Sequence, residues 1–515
     1  MKRLTMVLLS LAMALSLAVP VLAADVKPVP PSWIKAEDYL TFPGDEVYQK
    51  ENWETITRLR KSAERGDPMP ADQMQRPDAE TSAGTCFELG LIRLRYAANG
   101  TDPKAFQYAA FAFSSASDNY LKSTGYQYDQ KNALLGIWAN RCYTVYMPAN
   151  RIFGQNIATQ LRWLKREPQS FFDFFFADRV SEDTRAVVEQ QIRAAFHPVY
   201  VYLDGAKMEF SGILPEVVNG RTMVLAAPVA QHLGARVFYD EENGKVTMIR
   251  AGHTITMTPG ETTAWVDGQA VEMDTAPVDV GGYTVVPLRY LGELFGQSVQ
   301  WNAAKGGADI TENKSAVGQS NLEAWALPMG AVLSRLDIGD PARFGLWRRG
   351  SVLSGGGGYT QAPTSPVGQA RMILERSWGI TTREQLIQTA YSLSRQRGSV
   401  SCFDLFRVSS LAQWGYTAGY LTYPEALALV EPAAQCLKKN FTSWDAAYEN
   451  YLRGYYSWSG ESLAGKSVWD TPRGNIYQAL KTGEETKALF DDAIFKTPVK
   501  GVPGLTAESL LASVQ

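Results

Sequence analysis

Val201-Tyr202-Leu203-Asp204-Gly205 returns as Ala264-Trp265-Val266-Asp267-Gly268, and Asn219-Gly220-Arg221-Thr222 returns as Gly281-Gly282-Tyr283-Thr284. His232-Leu233-Gly234-Ala235-Arg236-Val237-Phe238-Tyr239-Asp240 is answered by Leu294-Phe295-Gly296-Gln297-Ser298-Val299-Gln300-Trp301-Asn302, at the same offset of about 62 residues. Each copy reads as short alternating strands, an Asp-Gly hairpin turn, a Gly-x-Thr turn, a short helix stopped by glycine and a closing strand. In the second copy Val285-Val286-Pro287-Leu288 runs into a helix carrying Tyr290, Leu291, Leu294 and Phe295, with Gly296 as its stop. Val299 and Trp301 are expected to point inward together on the strand that follows.

This duplicated block, residues 197–313, divides the chain. Residues 30–196 and 315–500 carry helical periodicities on either side, so the fold class is multidomain α+β with a strand-rich centre. The chain's 515 residues leave room for about three domains. A net charge of −3 gives no reason to expect a nucleic acid as partner. Lys2-Arg3, an apolar run over residues 6–19 and Val21-Leu22-Ala23 form the pattern of a secretory signal peptide, 1–23, cut after Ala23. No later stretch reaches the ~18–20 apolar residues of a membrane span, and residues 510–515 carry no anchor signal. The expected location is secreted or at the cell surface.

In the N-terminal part, Trp53, Ile56, Leu59 and Ala63 recur at helical spacing, with Gly66 and Pro68 as the stop. Three more helices are expected near 83–98, 103–122 and 128–147, the second started by Pro103. A last helix, capped by Ser181, carries Val187, Val188, Ile192 and Ala195. Phe171, Phe172, Phe174, Phe175 and Phe176 make an aromatic knot that suits a core.

In the C-terminal part a helix is expected from Asn321 to Leu333. Ser354 to Gly358 is a glycine run, but Tyr359-Thr360 stands where a phosphate-binding loop needs Gly-Lys-Ser/Thr, so it reads as a loop. Thr381-Thr382-Arg383-Glu384 and Thr422-Tyr423-Pro424-Glu425 read as capping boxes, and Cys402 to Ala418 as a helix ended by Gly419. Cys402 lies 18 residues before Tyr420 and Cys436 lies 16 after it, so a helical hairpin puts them at nearly the same height. They are a possible disulfide or two reduced core cysteines. Trp444, Tyr448, Tyr451, Tyr455 and Trp458 form one helical stripe of aromatics, either core or a platform for sugar rings. Asp404 and Arg407 are three apart on an apolar helix, either a structural pair or a polar handle for a ligand.

The middle block resembles the copper amine oxidase N-terminal-like, or stalk, domain. The matching residues are Val266-Asp267-Gly268, Pro277, Gly282, Thr284, Val286-Pro287-Leu288-Arg289, Leu294, Gly296, Val299 and Trp301. In the first copy Leu225-Ala226-Ala227 stands in place of Pro-Leu-Arg. The resemblance implies an accessory module of strands wrapped on a helix. Within it Asp267 reads as serving its turn, and Arg289, at a helix start, as a surface residue. It implies no oxidase. Amine oxidase chemistry needs three copper-binding histidines and a quinone-forming tyrosine in Asn-Tyr-Asp/Glu. Here Asn450-Tyr451 precedes Leu452, and the only histidines, His197, His232 and His253, are scattered.

The C-terminal part resembles the family numbered 1266 among domains of unknown function. Ser377-Trp378-Gly379-Ile380, Phe403-Asp404-Leu405-Phe406-Arg407, Trp414-Gly415-Tyr416-Thr417-Ala418-Gly419-Tyr420, Ser443-Trp444 and Asn450-Tyr451-Leu452-Arg453-Gly454 carry it. No activity comes with that family.

No catalytic, cofactor-binding or metal-ligating set is assigned. The expectation is an exported, non-catalytic envelope or extracellular protein whose stalk module anchors or spaces helical interaction domains, with a cell-wall polymer or another envelope protein as partner. The alternative is a hydrolase on envelope or polysaccharide, with Glu425 or Asp404 as acid and base, which requires two carboxyls about 5–10 Å apart in a groove.

Overall fold

A computed structural model describes residues 31–34, 39–42, 50–100, 104–146, 157–161, 182–210, 212–336, 340–345, 353–354, 365–396, 398–463 and 465–515. The signal-peptide pattern, Pro103, the phenylalanine knot, Ser181 and Gly355 to Thr360 lie outside these residues. The chain forms two compact units, one ending at His197 and one running from Pro198 to Gln515.

The first unit is helical: α1 Lys50–Glu64, α2 Ala83–Asn99, α3 Ala105–Ser123, α4 Gln130–Tyr146 and α5 Glu182–Phe196. Ser82 caps α2 by accepting the Thr85 N–H. Phe87, Phe113 and Trp138 fill the core, the last two stacked at 5.3 Å. Gly90 admits the Phe113 ring, which a Cβ there would meet at 2.6 Å. Glu88 is buried beneath the Tyr39 hydroxyl and the Arg60 guanidinium, which both donate to it. Burial raises the Glu88 carboxyl, and Arg60 opposes the rise. Cys86 and Cys142 are both buried in this core.

In the second unit, the first copy of the repeat forms β1 Tyr200–Leu203, β2 Ala206–Glu209, β3 Glu216–Val218, β4 Arg221–Leu225, α6 Ala226–His232, β5 Arg236–Asp240 and β6 Lys245–Arg250. An extra strand, β7 His253–Met257, leads to the second copy: β8 Thr263–Val266, β9 Gln269–Glu272, β10 Val278–Asp279, β11 Thr284–Pro287, α7 Leu288–Leu294, β12 Gln297–Asn302 and β13 Gly307–Glu312. The Asp-Gly turns form as expected, with Asp204 and Gly205 at φ 47° and 84° and Asp267 and Gly268 at 50° and 78°. Leu225 and Pro287 start their helices at the same backbone angles, φ −63° and ψ 121°, so the sequence difference there leaves the geometry unchanged.

The two copies exchange strands. The order β10-β11-β4-β3 joins them at the centre, with Val224 facing Val286. The first copy's β5-β6 hairpin extends through β7 to the second copy's β8-β9. The second copy's β12-β13 hairpin takes up the first copy's β1-β2, with β1 parallel to β13 and Tyr200 beside Gly307. Every sheet therefore contains strands of both copies, and one core holds Val224, Val229, Met248, Val286, Leu291 and Ile310. A two-residue strand, β14 Leu353–Ser354, adds to the edge of β2.

The remaining helices are α8 Leu322–Leu336, α9 Pro366–Trp378, α10 Arg383–Ser394, α11 Cys402–Ala418, α12 Tyr423–Asn440, α13 Trp444–Ser459, α14 Pro472–Thr482 and α15 Ala507–Ala512. Helix α11 is central, packed against α8, α9, α10, α12 and α13. The cap of α10 sits one residue later than the sequence reading has it: Thr382 and Gln385, not Thr381 and Glu384, close the capping box. Gln385 takes the N3 place because its amide oxygen accepts the Thr382 N–H. The Thr422–Glu425 box forms as read. Among the described residues no helix is long and apolar enough to cross a membrane.

The strand module and the helices share a seam within this unit. The Ala251 N–H donates to the Gly419 carbonyl at 2.8 Å, and Arg371 donates to the carbonyls of Gly234 (2.9 Å) and Ala418 (3.1 Å). The Tyr416 hydroxyl on α11 donates to Glu312 on β13 at 2.5 Å.

Candidate functional site

The residues singled out from sequence are mostly engaged in packing. Arg407 donates to Asp404 on its own helix and lies over the Phe403 ring at 4.2 Å and the Trp378 ring at 5.2 Å. That pair spends its charges on each other. Glu425 is held by both Nη atoms of Arg383, at 2.6 and 3.0 Å, and accepts the Thr422 N–H at 2.7 Å. Neither carboxylate is a free acid or base facing a groove.

The aromatic stripe needs correction as a platform. Trp444, Tyr448 and Tyr451 are fully buried. Tyr451 stacks on Phe406 at 5.1 Å, Tyr448 stacks on Tyr477 at 4.0 Å, and Trp444 meets Trp325 at 5.9 Å. The stripe faces inward because α11 and α14 cover it. Tyr455 is half-buried and donates to Glu461, and Trp458, 67% exposed, is the one ring left to solvent. Cys402 is buried and Cys436 half-buried, both as free thiols on the adjoining helices α11 and α12. Burial raises the Cys402 thiol, and Cys436 adds to the rise.

Trp301 departs from the sequence reading. It shares a face with Val299 but is 53% exposed, because β12 is the edge strand of its sheet and its far end runs past the core. There it walls a cavity of about 520 Å³ built from both copies of the repeat. Val217 and Thr222 come from the first copy, Tyr290 and Val299 from the second. Gly292 lets α7 pack closely on β12 behind it, since a Cβ there would stand 2.4 Å from a Val299 methyl.

Two charged features line the cavity. Arg221 from the first copy grips Asp274 from the second, Nε to Oδ1 at 2.9 Å and Nη2 to Oδ2 at 2.5 Å. That grip holds the Asp274 carboxyl down at about 2, and the Tyr290 hydroxyl accepts the Asp274 N–H at 2.9 Å. Arg289 is exposed, as read from sequence, and its guanidinium makes no hydrogen bond or ion pair among the described residues. A half-exposed indole beside a forked pair and an unspent guanidinium is the composition of a site for a polar ring. Sequence reasoning missed Arg221 and Asp274 because they meet only through strand exchange. Among the described residues no group of three or more His, Cys, Asp or Glu could hold a metal ion.

Residues 202–310 match the family model described as the copper amine oxidase N-terminal domain, and residues 394–487 match that described as a protein of unknown function (DUF1266). Neither a curated protein nor a solved structure matches the chain.

Proposed function

We propose that this chain is an exported, non-catalytic protein of the cell envelope or extracellular space, whose duplicated module recognises a saccharide polymer. The observation that carries the reading is the Trp301 cavity, where an exposed indole, the Arg221–Asp274 fork and Arg289 converge on a concave surface. The commitment of Glu425 to Arg383, and of Asp404 to Arg407, supports binding over hydrolysis. The seam argues for a module that presents a ligand next to the helices, not one that spaces them from it.

The test is sedimentation of the full mature chain with purified cell-wall polysaccharide. Wild type should pellet, and Trp301→Ala and Arg289→Ala should each weaken retention by about tenfold or more, as loss of a central anchor does. Equal pelleting of Trp301→Ala and wild type would sink the reading. The export part has its own check: N-terminal sequencing of protein recovered outside the cell should begin at Ala24.

A further inference from the structure

The seam between module and helices encloses a second cavity, of about 340 Å³, remote in chemistry from the first. Four arginines line it, Arg236, Arg250, Arg371 and Arg383, against a single glutamate, Glu384, which is exposed. Two of the four are spent. Arg383 is neutralised by Glu425, and Arg250 is buried with its donors on the carbonyls of Leu233 (2.5 Å) and Phe295 (3.3 Å) and its charge opposed by the nearby Glu312.

The other two are not neutralised. Arg371, on α9, ends on two uncharged acceptors, the carbonyls of Ala418 and Gly234. Arg236, on β5, is exposed, and its guanidinium makes no hydrogen bond or ion pair among the described residues. The two stand close enough for Arg236 to disfavour the charge on Arg371, in addition to what burial does. Like charges held together across a seam, with no carboxylate bonded to either guanidinium, repel unless an anion joins them. Each guanidinium keeps N–H donors in a planar fork suited to an oxyanion. The walls also include Ile249 and the Tyr420 ring, and the space is far larger than a bare oxyanion needs.

We propose that this cleft binds a phosphate monoester, its dianionic head bridging Arg236 of the module and Arg371 of the helices and its organic part lying along Ile249 and Tyr420. A dianion matches the two unspent charges, whereas a single carboxylate leaves one unanswered. A ligand held from both sides of the seam stabilises the folded unit by mass action.

The test uses the full mature chain at constant ionic strength, with glycerol 2-phosphate and inorganic phosphate as probes, read by calorimetry and by the thermal midpoint. Glycerol 2-phosphate should bind wild type and raise its midpoint, and Arg236→Gln should weaken that binding at least tenfold. Because Arg236 is exposed and has no partner to lose, the ligand-free midpoint of Arg236→Gln should match wild type, which keeps the comparison free of a folding defect. Absence of binding to wild type, or equal binding to Arg236→Gln, overturns the proposal. Tighter binding of inorganic phosphate than of the ester overturns the organic part of it. Trp301→Ala should bind glycerol 2-phosphate as wild type does, so this site and the saccharide site fail or stand separately.

Discussion

Gly234 and Gly419 meet backbone to backbone across the seam: a Cβ built on Gly419 would lie 1.9 Å from the Gly234 carbonyl oxygen. Both residues have positive φ, 86° and 79°. Gly419 ends α11 in the left-handed conformation, and Gly234 follows α6, so one contact closes two helix ends. Gly419→Ala adds a steric conflict to backbone strain and should cost about 3–5 kcal/mol in denaturant unfolding. Gly268→Ala is the control. Its φ is also positive, but nothing stands within 4 Å of its Cβ, so it should cost only about 1–2 kcal/mol. Equal losses at the two positions would mean that the seam adds nothing beyond strain.

Tyr416 and Glu312 link α11 to β13. Burial raises the Glu312 carboxyl, and the hydrogen bond from Tyr416 opposes the rise, aided by Gln297 at 3.0 Å. Tyr416→Phe leaves the buried carboxylate with one donor fewer. The expected loss is about 1–3 kcal/mol at neutral pH. It should shrink in acid, where Glu312 is protonated and no longer needs the second donor. A loss independent of pH would assign the effect to packing around Phe344 instead.

Asp204 supplies a pH dependence of its own. Burial first, then the neighbouring Glu312, pushes its carboxyl up to about 6, above the ~3.9 of an unfolded chain. The folded state therefore holds this proton more tightly, and the contribution of Asp204 to stability is complete below about pH 4 and lost as pH rises through about 6. Asn tolerates the left-handed φ of 47° at this turn as Asp does. Asp204→Asn should accordingly be more stable than wild type at pH 7.5, and no more stable at pH 4. Urea titrations at the two pH values decide the matter.

The cysteines can be ranked by alkylation under native conditions. Cys436, half-buried and with its sulfur accepting from Asn440 at 3.7 Å, should label first. Cys402 is buried with its thiol pushed up, and should label only on unfolding. Mass spectrometry without reduction should find free thiols at both. Recovery of a Cys402–Cys436 linked peptide would contradict that state.

What was legible in the sequence was local. Asp204-Gly205 and Asp267-Gly268 declare their turns because positive φ is a property of two neighbouring residues. Gly419 declares the end of α11 for the same reason, and Thr422 with Glu425 the start of α12. Strand partners are another matter. A strand of alternating residues carries no sign of which distant strand will pair with it, so the copies read as two successive units although each sheet draws on both. Trp301 departs from its reading for that reason: its alternation is visible in the sequence, but its place on an edge strand is not. The arginine cleft was equally hidden, since Arg236 and Arg371 belong to separate sequence regions and the seam alone brings them together.

The exchange of strands has a consequence for the order in which the chain can fold. Tyr200 finds its parallel partner, Gly307, only after the whole of the repeat has emerged from the ribosome. Until then the β1-β2 hairpin waits with both edges bare, since β14 comes later still, and β5 to β7 can pair among themselves but lack β8. The two copies are thus unequal in time although alike in sequence, because the earlier one is finished last. A nascent chain paused within the second copy holds a first copy that cannot yet be completed. Pulse proteolysis of stalled chains should therefore find β1 protected only once residues through Glu312 are free to fold.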